Sequence, residues 1–499
     1  MHTKQERSLA GQAWLRRELK LAVPPPAVES YIAPGPRRSE ADGSRTAELY
    51  PKAYAPSGSV VSHLRFMLRH EAFDIGVLVA ALKAVEPAIL EGWVRNQPTG
   101  AFSRRAWFFY ETLTGRTLDV PDAGSGNYVN ALNPRLHIPA GRRNSRRHRV
   151  IDNLLGNADL CVTVRRTAAL AGWLDVRTDE EARALCEAHD PVILHRALNY
   201  LYTRETRSTF AIEGEAPTAR REARFIAALK VASEFDPLDK ADLLRLQGSI
   251  VDPRYAARNW RRIQNFVGRT TAGFGEAVDY ICPRPDDVPR LMEGWMALTR
   301  RVAEEPLPPV VAAAIVAFAF VFIHPFEDGN GRVHRFLIHH ILAKRGYGPP
   351  EIILPVSAAI LRDRAGYDRV LETFSRPLGE YIEWRWTPER EVHVENDTLD
   401  LYRYADLTVF AEYLHERLAE TVHRDLGEEL GFLAVFDRAT RAVRRIVDMP
   451  DRRLSLLVRL CMQNDGRFPK RRRGQFPELT DGEIAAIQQA VRHALASQA

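Results

Sequence analysis

The sequence predicts an all-α, mainly helical protein in which β-structure is confined to small elements. Apolar residues recur at helical spacing over most of the 499 residues. The run Val310–Ile323 contains no charged residue and is typical of a buried helix. Strand-like segments are few and short, chiefly Ala277–Ile281 and a weaker one at Glu351–Leu354. A chain of this length has room for two to four domains.

The N-terminal part of the chain alternates between helical patterns and loops. The first twenty residues resemble a charged amphipathic helix that ends at the prolines of residues 24–26. Residues 30–58 are rich in Pro, Gly, Ser and charge, and we expect a loop there. Helical spacing returns through Val60–Val94 and again around Trp107–Thr112.

A second loop is expected at Thr114–Arg149, and the rest of the chain is predicted to be helical. Successive helices are indicated from Ala182 to Leu378 and again from Pro388 to the last residue. Thr480 and Glu483 have the spacing of a capping box, so a final helix should begin between them.

Composition restricts the class of protein. The net charge of +6 comes from 70 basic and 64 acidic residues, and so small an excess permits an acidic partner without requiring one. The four cysteines are widely separated, which argues against a disulfide framework or a zinc site and favours a reducing, cytoplasmic location. No apolar segment reaches the roughly 20 residues that span a bilayer, so we expect no membrane association.

The segment Ile323–Arg335, with the sequence IHPFEDGNGRVHR, holds most of the chemistry that the sequence reveals. His324 is a candidate general base and Asp328 a candidate ligand for Mg²⁺, which often takes a single protein carboxylate plus phosphate oxygens. Gly329-Asn330-Gly331 allows backbone N–H groups to converge on an anion. Arg332 and Arg335 lie three residues apart on the next helix, so both can face one polyphosphate.

The elements around this segment should hold it rigidly. Pro325 ends the apolar helix, so His324 lies at the helix exit, and Phe326 is expected to turn into the core. The next helix should begin within the glycine-rich loop, and its N-terminus favours a phosphate. Its core face is predicted to carry Phe336, Leu337, Ile341 and Leu342.

Each component alone has an ordinary structural explanation, such as a buried histidine, a turn or a solvated arginine. Their joint occurrence between two core helices favours phosphoryl-type transfer, which depends on positioning and charge neutralisation. Competing nucleotide signatures are missing: the sequence has no P-loop, and Gly124-Ser125-Gly126 lacks the third glycine of a dinucleotide fingerprint.

The residues His324–Arg335 resemble the signature of the Fic (Fido) family, H-x-F-x-[D/E]-G-N-[G/K]-R, extended by the xxR of its ATP-using branch. The match is complete over this segment and weaker over roughly Leu246–Glu383. The resemblance implies a Fic/Fido fold with a small β-hairpin flap. It also implies transfer of AMP from ATP to a Ser, Thr or Tyr hydroxyl of a target protein.

The resemblance assigns roles position by position. His324 would deprotonate the target hydroxyl, and Asp328 would hold Mg²⁺ against the phosphates. Tyr367 and Asp368 would lie near the adenine. The nucleotide-binding run would comprise Asp328, Gly329, Asn330, Gly331, Arg332, Val333, His334 and Arg335.

Two further segments resemble parts of the family. The flap, which pairs with an extended target segment, would include Val278, Asp279, Tyr280 and Ile281. Thr209–Gly214 resembles the inhibitory motif [S/T]-x-x-x-E-[G/N], in the subclass that carries it N-terminal to the catalytic core. Glu213 would then pair with Arg335 and keep this arginine from the γ-phosphate.

The domain organisation expected from these patterns has four parts. Residues 1–180 form an N-terminal helical region of unknown role, and residues 181–244 form a helical segment with the inhibitory motif. Residues 245–387 form the Fic/Fido catalytic domain, and residues 388–499 form a C-terminal helical domain. The sequence leaves a homo-oligomer open.

Two alternatives remain at this point. The basic runs Arg142–Arg149 and Lys470–Arg473, together with the helical tail, could make the chain a nucleic-acid-associated regulator. A variant of the same family could instead transfer another phosphate-containing group from its co-substrate.

Overall fold

The computed structural model of the chain describes residues 7–42, 45–270 and 276–496. The chain divides into two compact units, each built from separate stretches of sequence. Unit 1 comprises the described residues of Met1–Val176, Thr209–Arg345 and Ile360–Glu416. Unit 2 comprises those of Arg177–Ser208, Gly346–Ala359 and Arg417–Ala499.

Helices dominate the described residues, as predicted. The α-helices there are α1 Gly11–Glu18, α2 Val60–His70, α3 Ile75–Ala84, α4 Pro87–Asn96, α5 Ala101–Thr114, α6 Ala168–Asp175, α7 Thr178–Glu187, α8 Pro191–Ile212, α9 Ala219–Lys230, α10 Lys240–Ile250, α11 Val288–Glu304, α12 Pro309–Ile323, α13 Asn330–Lys344, α14 Val356–Arg362, α15 Arg364–Gly379, α16 Leu399–Arg403, α17 Thr408–Glu420, α18 Gly427–Arg444, α19 Asp451–Met462 and α20 Asp481–Ala496. A π-helical turn, Thr421–Leu426, connects α17 to α18.

Short strands form five small sheets among the described residues. The strands are β1 Ser8–Ala10, β2 Val28–Ile32, β3 Arg38–Asp42, β4 Arg45–Tyr50, β5 Val129–Asn130, β6 Arg143–Ser145, β7 Val150–Asp152, β8 Leu155–Gly156, β9 Cys161–Val162, β10 Phe266–Thr270, β11 Glu276–Ile281, β12 Trp384–Trp386 and β13 Val392–Val394. The largest sheet has the order β1-β2-β4-β3, with β2 and β4 parallel and the outer pairs antiparallel.

This N-terminal sheet corrects the loop predicted for residues 30–58. Ala47 and Leu49 of β4 are buried, whereas Thr46 and Glu48 between them are not, which is the alternation of a half-buried strand. β2 pairs with β4 so that Val28 lies opposite Thr46. The first predicted helix is also shorter than expected, because α1 begins only at Gly11.

The core of unit 1 is arranged around two consecutive helices, α12 and α13. All but two residues of α12 are buried, because Val, Ala, Ile and Phe cover its whole circumference. α13 packs along it, and its residues Phe336, Leu337, Ile341 and Leu342 are buried, as predicted. The apolar helix therefore fixes the start of α13 in the middle of the unit.

Unit 2 has its own small core, formed by α18, α19 and α20. Residues such as Val435, Leu457 and Ile487 are fully or almost fully buried there. The predicted capping box at the start of α20 is confirmed: Glu483 N–H donates to Thr480 Oγ1 at 3.2 Å, and Thr480 N–H donates to Glu483 Oε2 at 2.7 Å.

Of the two strands predicted from the sequence, one is confirmed and the other is wrong. Strand β11 confirms the one predicted at Ala277–Ile281, whereas the second, at Glu351–Leu354, is wrong because these residues are turn and irregular backbone leading into α14. All four cysteines are free and buried. Within the part of the chain that the structure describes, no helix is both long and apolar enough to cross a membrane.

Candidate active site

His324 lies at the junction between α12 and α13, as the sequence predicted. It follows the last residue of α12 and adopts left-handed backbone angles, φ 53° and ψ 57°. This conformation is costly for a residue with a Cβ, and it turns the chain sharply towards the loop before α13. The imidazole is half-buried at the end of a rigid helix.

The surroundings of His324 keep its ring neutral. Burial, and next the positive charge of Arg261, lower the pKa of His324 to about 4. Nδ1 lies 3.2 Å from the carbonyl oxygen of Val321. Because a carbonyl only accepts, Nδ1 carries the proton and Nε2 keeps its lone pair. Such a ring can take a proton from a hydroxyl group.

Two side chains fix the loop between the helices. The side chain of Asn330 accepts from Phe326 N–H at 2.9 Å and donates to Phe326 O at 2.8 Å. Arg261 reaches the loop from outside: its Nε donates to His324 O at 2.7 Å, and its backbone N–H donates to Pro325 O at 2.8 Å. Phe326 is fully buried, as predicted.

The glycines of the loop form an open helix N-terminus. Gly329 is the residue before α13 and has φ 90°, a conformation that glycine adopts without strain. A Cβ on Gly331 would lie only 2.3 Å from Oε1 of Glu213. The carboxylate of Glu213 thus lies against the first turn of α13, where free N–H groups and the helix dipole favour an anion.

Arg335 is bound to the end of α8 and the turn after it. Its Nε donates to Thr209 Oγ1, and its Nη2 donates to Thr209 O at 2.9 Å and to Glu213 Oε1 at 2.5 Å. The side chain of Arg335 is 1% exposed and that of Glu213 is 34% exposed. The ion pair predicted from the sequence is therefore present and partly buried.

The charge of Glu213 is stabilised in this position. Burial raises the pKa of its carboxyl, but the charge of Arg335 and its hydrogen bond outweigh burial, so the pKa lies below the ordinary 4.5. The contact is therefore present above pH 4.5 and is lost as the pH falls through the depressed pKa. Burial also raises the pKa of Tyr367, which lies beside Arg335.

Arg332 is held in the same way by two other carboxylates. Its Nη2 donates to Asp328 Oδ1 at 2.8 Å, and its Nη1 donates to Glu215 Oε2 at 3.2 Å. The guanidinium also lies over the ring of Phe210, 5.3 Å from the ring centre. Both arginines of the motif thus contact acidic residues of the turn after α8.

Asp328 is the residue best suited to hold a metal ion. Its side chain is 46% exposed, at the mouth of the loop, and a Mg²⁺ ion with phosphate ligands needs only one or two such carboxylates. Among residues 7–42, 45–270 and 276–496, no group of three or more His, Cys, Asp or Glu residues could hold a metal ion. The residues therefore fit a Mg²⁺ brought with a polyphosphate better than a preformed metal centre.

The residues predicted as the flap lie in β11, which pairs antiparallel with β10; residues 271–275, between the two strands in sequence, lie outside the described residues. Tyr280 is buried, and its hydroxyl donates to Phe322 O in α12. Ile281 is also buried, and its carbonyl accepts from Tyr402 at 2.7 Å. Val278 and Asp279 are more accessible. The base of the hairpin is therefore anchored to the core.

Three residues of the predicted nucleotide-binding set have side chains engaged elsewhere. Val333 and His334 are fully buried, and His334 Nδ1 lies 2.8 Å from Ala317 O. Asp368 is paired with Arg364 one turn earlier on α15, at 2.9 Å. Arg364 in turn donates to Ile212 O, so the start of α15 contacts the same turn that carries Glu213.

Sequence reasoning missed three residues of the site: Arg261, Gln247 and Glu215. Gln247 donates to Asp328 O at 3.1 Å and so supports the loop from α10. The sequence contained one usable signal, since Glu215 follows the inhibitory motif directly. Arg261 and Gln247 lie 63 and 81 residues from their partners in the loop, and no local pattern marks them.

The profile of the Fic/DOC family matches residues 237–342, which include His324, Asp328 and both arginines. The chain contains a Fic domain. "Protein adenylyltransferase Fic" of Drosophila grimshawi is 27% identical over 287 residues, covering 50% of this chain and 54% of that protein. "Protein adenylyltransferase fic-1" of Caenorhabditis elegans is 31% identical over 166 residues, covering 32% of this chain and 29% of that protein.

A Fic family protein from Desulfovibrio desulfuricans G20 is similar in structure at a TM-score of 0.39 and 19% sequence identity, covering 63% of this chain and 95% of that one. The chain spans about half the length of the Drosophila relative that it matches. The match to the Fic/DOC family, at residues 237–342, includes all of α12 and most of α13.

Proposed function

We propose that this protein is an adenylyltransferase that moves AMP from ATP to a Ser, Thr or Tyr hydroxyl of a target protein. The observation that carries the proposal is the neutral imidazole of His324, held at the mouth of a helix N-terminus that bears two buried arginines. The similarity of half the chain to a protein named as an adenylyltransferase supports the same reaction.

Each residue of the loop would have a separate role in the transfer of AMP. Nε2 of His324 takes the proton of the target hydroxyl, whose oxygen bonds to the α-phosphorus. The bond from the α-phosphorus to the bridging oxygen breaks, so AMP stays on the target and pyrophosphate leaves. N–H groups at the start of α13, with Arg332 and Arg335, hold the phosphates.

Asp328 would hold Mg²⁺ beside the α- and β-phosphates, where the ion would offset the negative charge that builds up on the oxygens. For this, Asp328 must exchange its contact with Arg332 for the ion. The flap residues Val278 and Asp279 would pair with an extended segment of the target. Tyr367 would lie on the adenine side of the site.

In the state described by the structure, Glu213 would restrain the enzyme. Its carboxylate occupies Arg335 and lies against the N-terminus of α13, where a phosphate would bind. Nucleotide must therefore displace Glu213 or bind in a different pose. This supports the inhibitory role that the sequence motif predicted for the turn after α8.

The test uses full-length protein with Mg²⁺ and ATP labelled on either the α- or the γ-phosphate. We expect Glu213→Gly to transfer the α-label to itself or to added protein at least about tenfold faster than the wild type, since a buried charge-assisted contact no longer competes with nucleotide. His324→Ala in the Glu213→Gly background should bind ATP but not transfer label. Equal transfer by the wild type and Glu213→Gly would contradict the restraint.

The same experiment separates the alternatives. Transfer of the γ-label instead of the α-label would identify a variant that moves another phosphate-containing group. The buried, unpaired cysteines support the proposed cytoplasmic location, and a homo-oligomer remains a prediction.

A further inference from the structure

We propose that Glu215 is a second restraining carboxylate, which acts on Arg332 as Glu213 acts on Arg335. This inference rests on the proposed function, because it concerns access of ATP phosphates to the same helix N-terminus. The two glutamates flank Gly214, whose φ of 72° turns the chain at the end of α8. One short turn thus engages both arginines of the motif.

The contact between Glu215 and Arg332 is well formed. The side chain of Arg332 is 2% exposed and that of Glu215 is 35% exposed. Little water can therefore reach the guanidinium of Arg332 and take the place of the carboxylate. The second amino group of Arg332 is bound to Asp328, and its plane lies over Phe210 of α8. A phosphate that approaches Arg332 must therefore compete with Glu215 for the guanidinium.

Arg221 is a second partner of the Glu215 carboxylate. Arg221 Nη2 donates to Oε2 of Glu215 at 2.8 Å, the same oxygen that faces Arg332 at 3.2 Å. Arg221 is anchored by a hydrogen bond from its Nε to Ile250 O at 2.9 Å and also lies over Phe210. When a phosphate takes Arg332, Glu215 can stay on Arg221 without losing all its partners. The carboxylate is thus shared between Arg332, which would bind a phosphate, and Arg221, which lies outside the motif.

The experiment measures the affinity of full-length protein for Mg²⁺-ATP and for adenosine by calorimetry. We expect Glu215→Gln to tighten ATP binding about fivefold, because it removes one charge-assisted competitor for Arg332. Adenosine has no phosphate, so its affinity should not change. Glu234→Gln, a change at an exposed glutamate on the 3₁₀ turn Ala232–Glu234, is the matched control and should leave both affinities unchanged.

Replacing Arg221 should change the affinity for ATP in the opposite direction. Arg221→Gln should weaken ATP binding about threefold in the wild type, since Glu215 then stays on Arg332, but much less in the Glu215→Gln background. The double variant Glu213→Gly/Glu215→Gln should bind ATP more tightly than Glu213→Gly alone. These readouts are equilibrium affinities, so they test Glu215 even if no variant transfers AMP.

Three results would overturn the assignment. One is an ATP affinity of Glu215→Gln equal to that of the wild type. Another is an equal shift for ATP and adenosine, which would point to a purely structural effect. The third is an absence of ATP binding to the double variant. Loss of AMP transfer with the ATP shift intact would count against the proposed reaction and not against Glu215.

Discussion

At the scale of single residues, the proposed chemistry depends on the protonation state of His324. A general base must be neutral to accept a proton, and this ring is kept neutral by burial and by the charge of Arg261. A histidine with an ordinary pKa near 6.5 would be partly charged at physiological pH. The lowered pKa would therefore keep the proposed base neutral over a wide pH range.

This state of His324 can be measured directly by NMR. A lowered pKa means that the ring protonates only when the pH falls through about 4, so its signals should not titrate between pH 8 and pH 5. The measurement follows ring C–H shifts of the nucleotide-free protein, with His324→Ala used to assign the resonance. A His324 signal that titrates near pH 6.5 would show that the ring is solvated and would contradict the lowered pKa.

The sequence predicted the residues of the motif because they lie close together in the chain. His324, Asp328, Arg332 and Arg335 are brought together by a single loop and one helical turn, so spacing alone determines their arrangement. Glu213 is 122 residues from Arg335 and was found only through a resemblance. Glu215, 117 residues from Arg332, was missed because its one signal, a position directly after the inhibitory motif, does not indicate its partner.

At the scale of elements, the loop between α12 and α13 is positioned by Arg261, which lies outside these two helices. The three side-chain nitrogens of Arg261 donate to backbone carbonyls of His324, Ile263 and Pro283, at 2.7, 2.9 and 2.6 Å. These carbonyls belong to the loop between α12 and α13, to the segment before β10 and to the segment after β11. Arg261 therefore ties the base of the flap to the loop that carries His324.

Replacing Arg261 should damage both stability and the site. We expect Arg261→Met to lower the free energy of unfolding by about 3 kcal/mol, because buried carbonyls lose charge-assisted partners. It should also raise the pKa of His324, since a nearby positive charge is lost. Denaturant unfolding and the NMR titration check the two effects, with the exposed neighbour Arg262→Met as control. Wild-type stability and an unchanged pKa in Arg261→Met would refute this positioning role.

The elements that the sequence missed are those whose pairing is non-local or partly polar. β2 pairs directly with β4, although β3 lies between them in the sequence. The central residue of β2, Ser30, is a buried polar residue that weakens the apolar alternation. Charged β3 forms the edge of the same sheet, where it resembles a loop in composition. The apolar helix α12 was predicted correctly because its composition admits no other environment.

At the scale of the whole molecule, two arginines of the basic run Arg142–Arg149 make contacts within the fold. Arg147 donates to Glu111 at 2.8 and 2.9 Å, and Arg149 donates to the backbone carbonyls of Ala123 and Gly126 at 3.1 Å. Burial raises the pKa of Glu111, but hydrogen bonds from Arg147 and others bring it down to about 2. Arg147 and Arg149 therefore give no support to the nucleic-acid alternative, because both already have partners within the fold.

The central proposal for the whole molecule is that the Fic domain transfers AMP. Intact-mass spectrometry of the Glu213→Gly protein, incubated with Mg²⁺-ATP alone and with candidate targets, tests it most directly. We expect an added mass of AMP on the protein or its target, absent when His324 is also changed to alanine. An added mass of one phosphate, or an unchanged addition of AMP without His324, would contradict it.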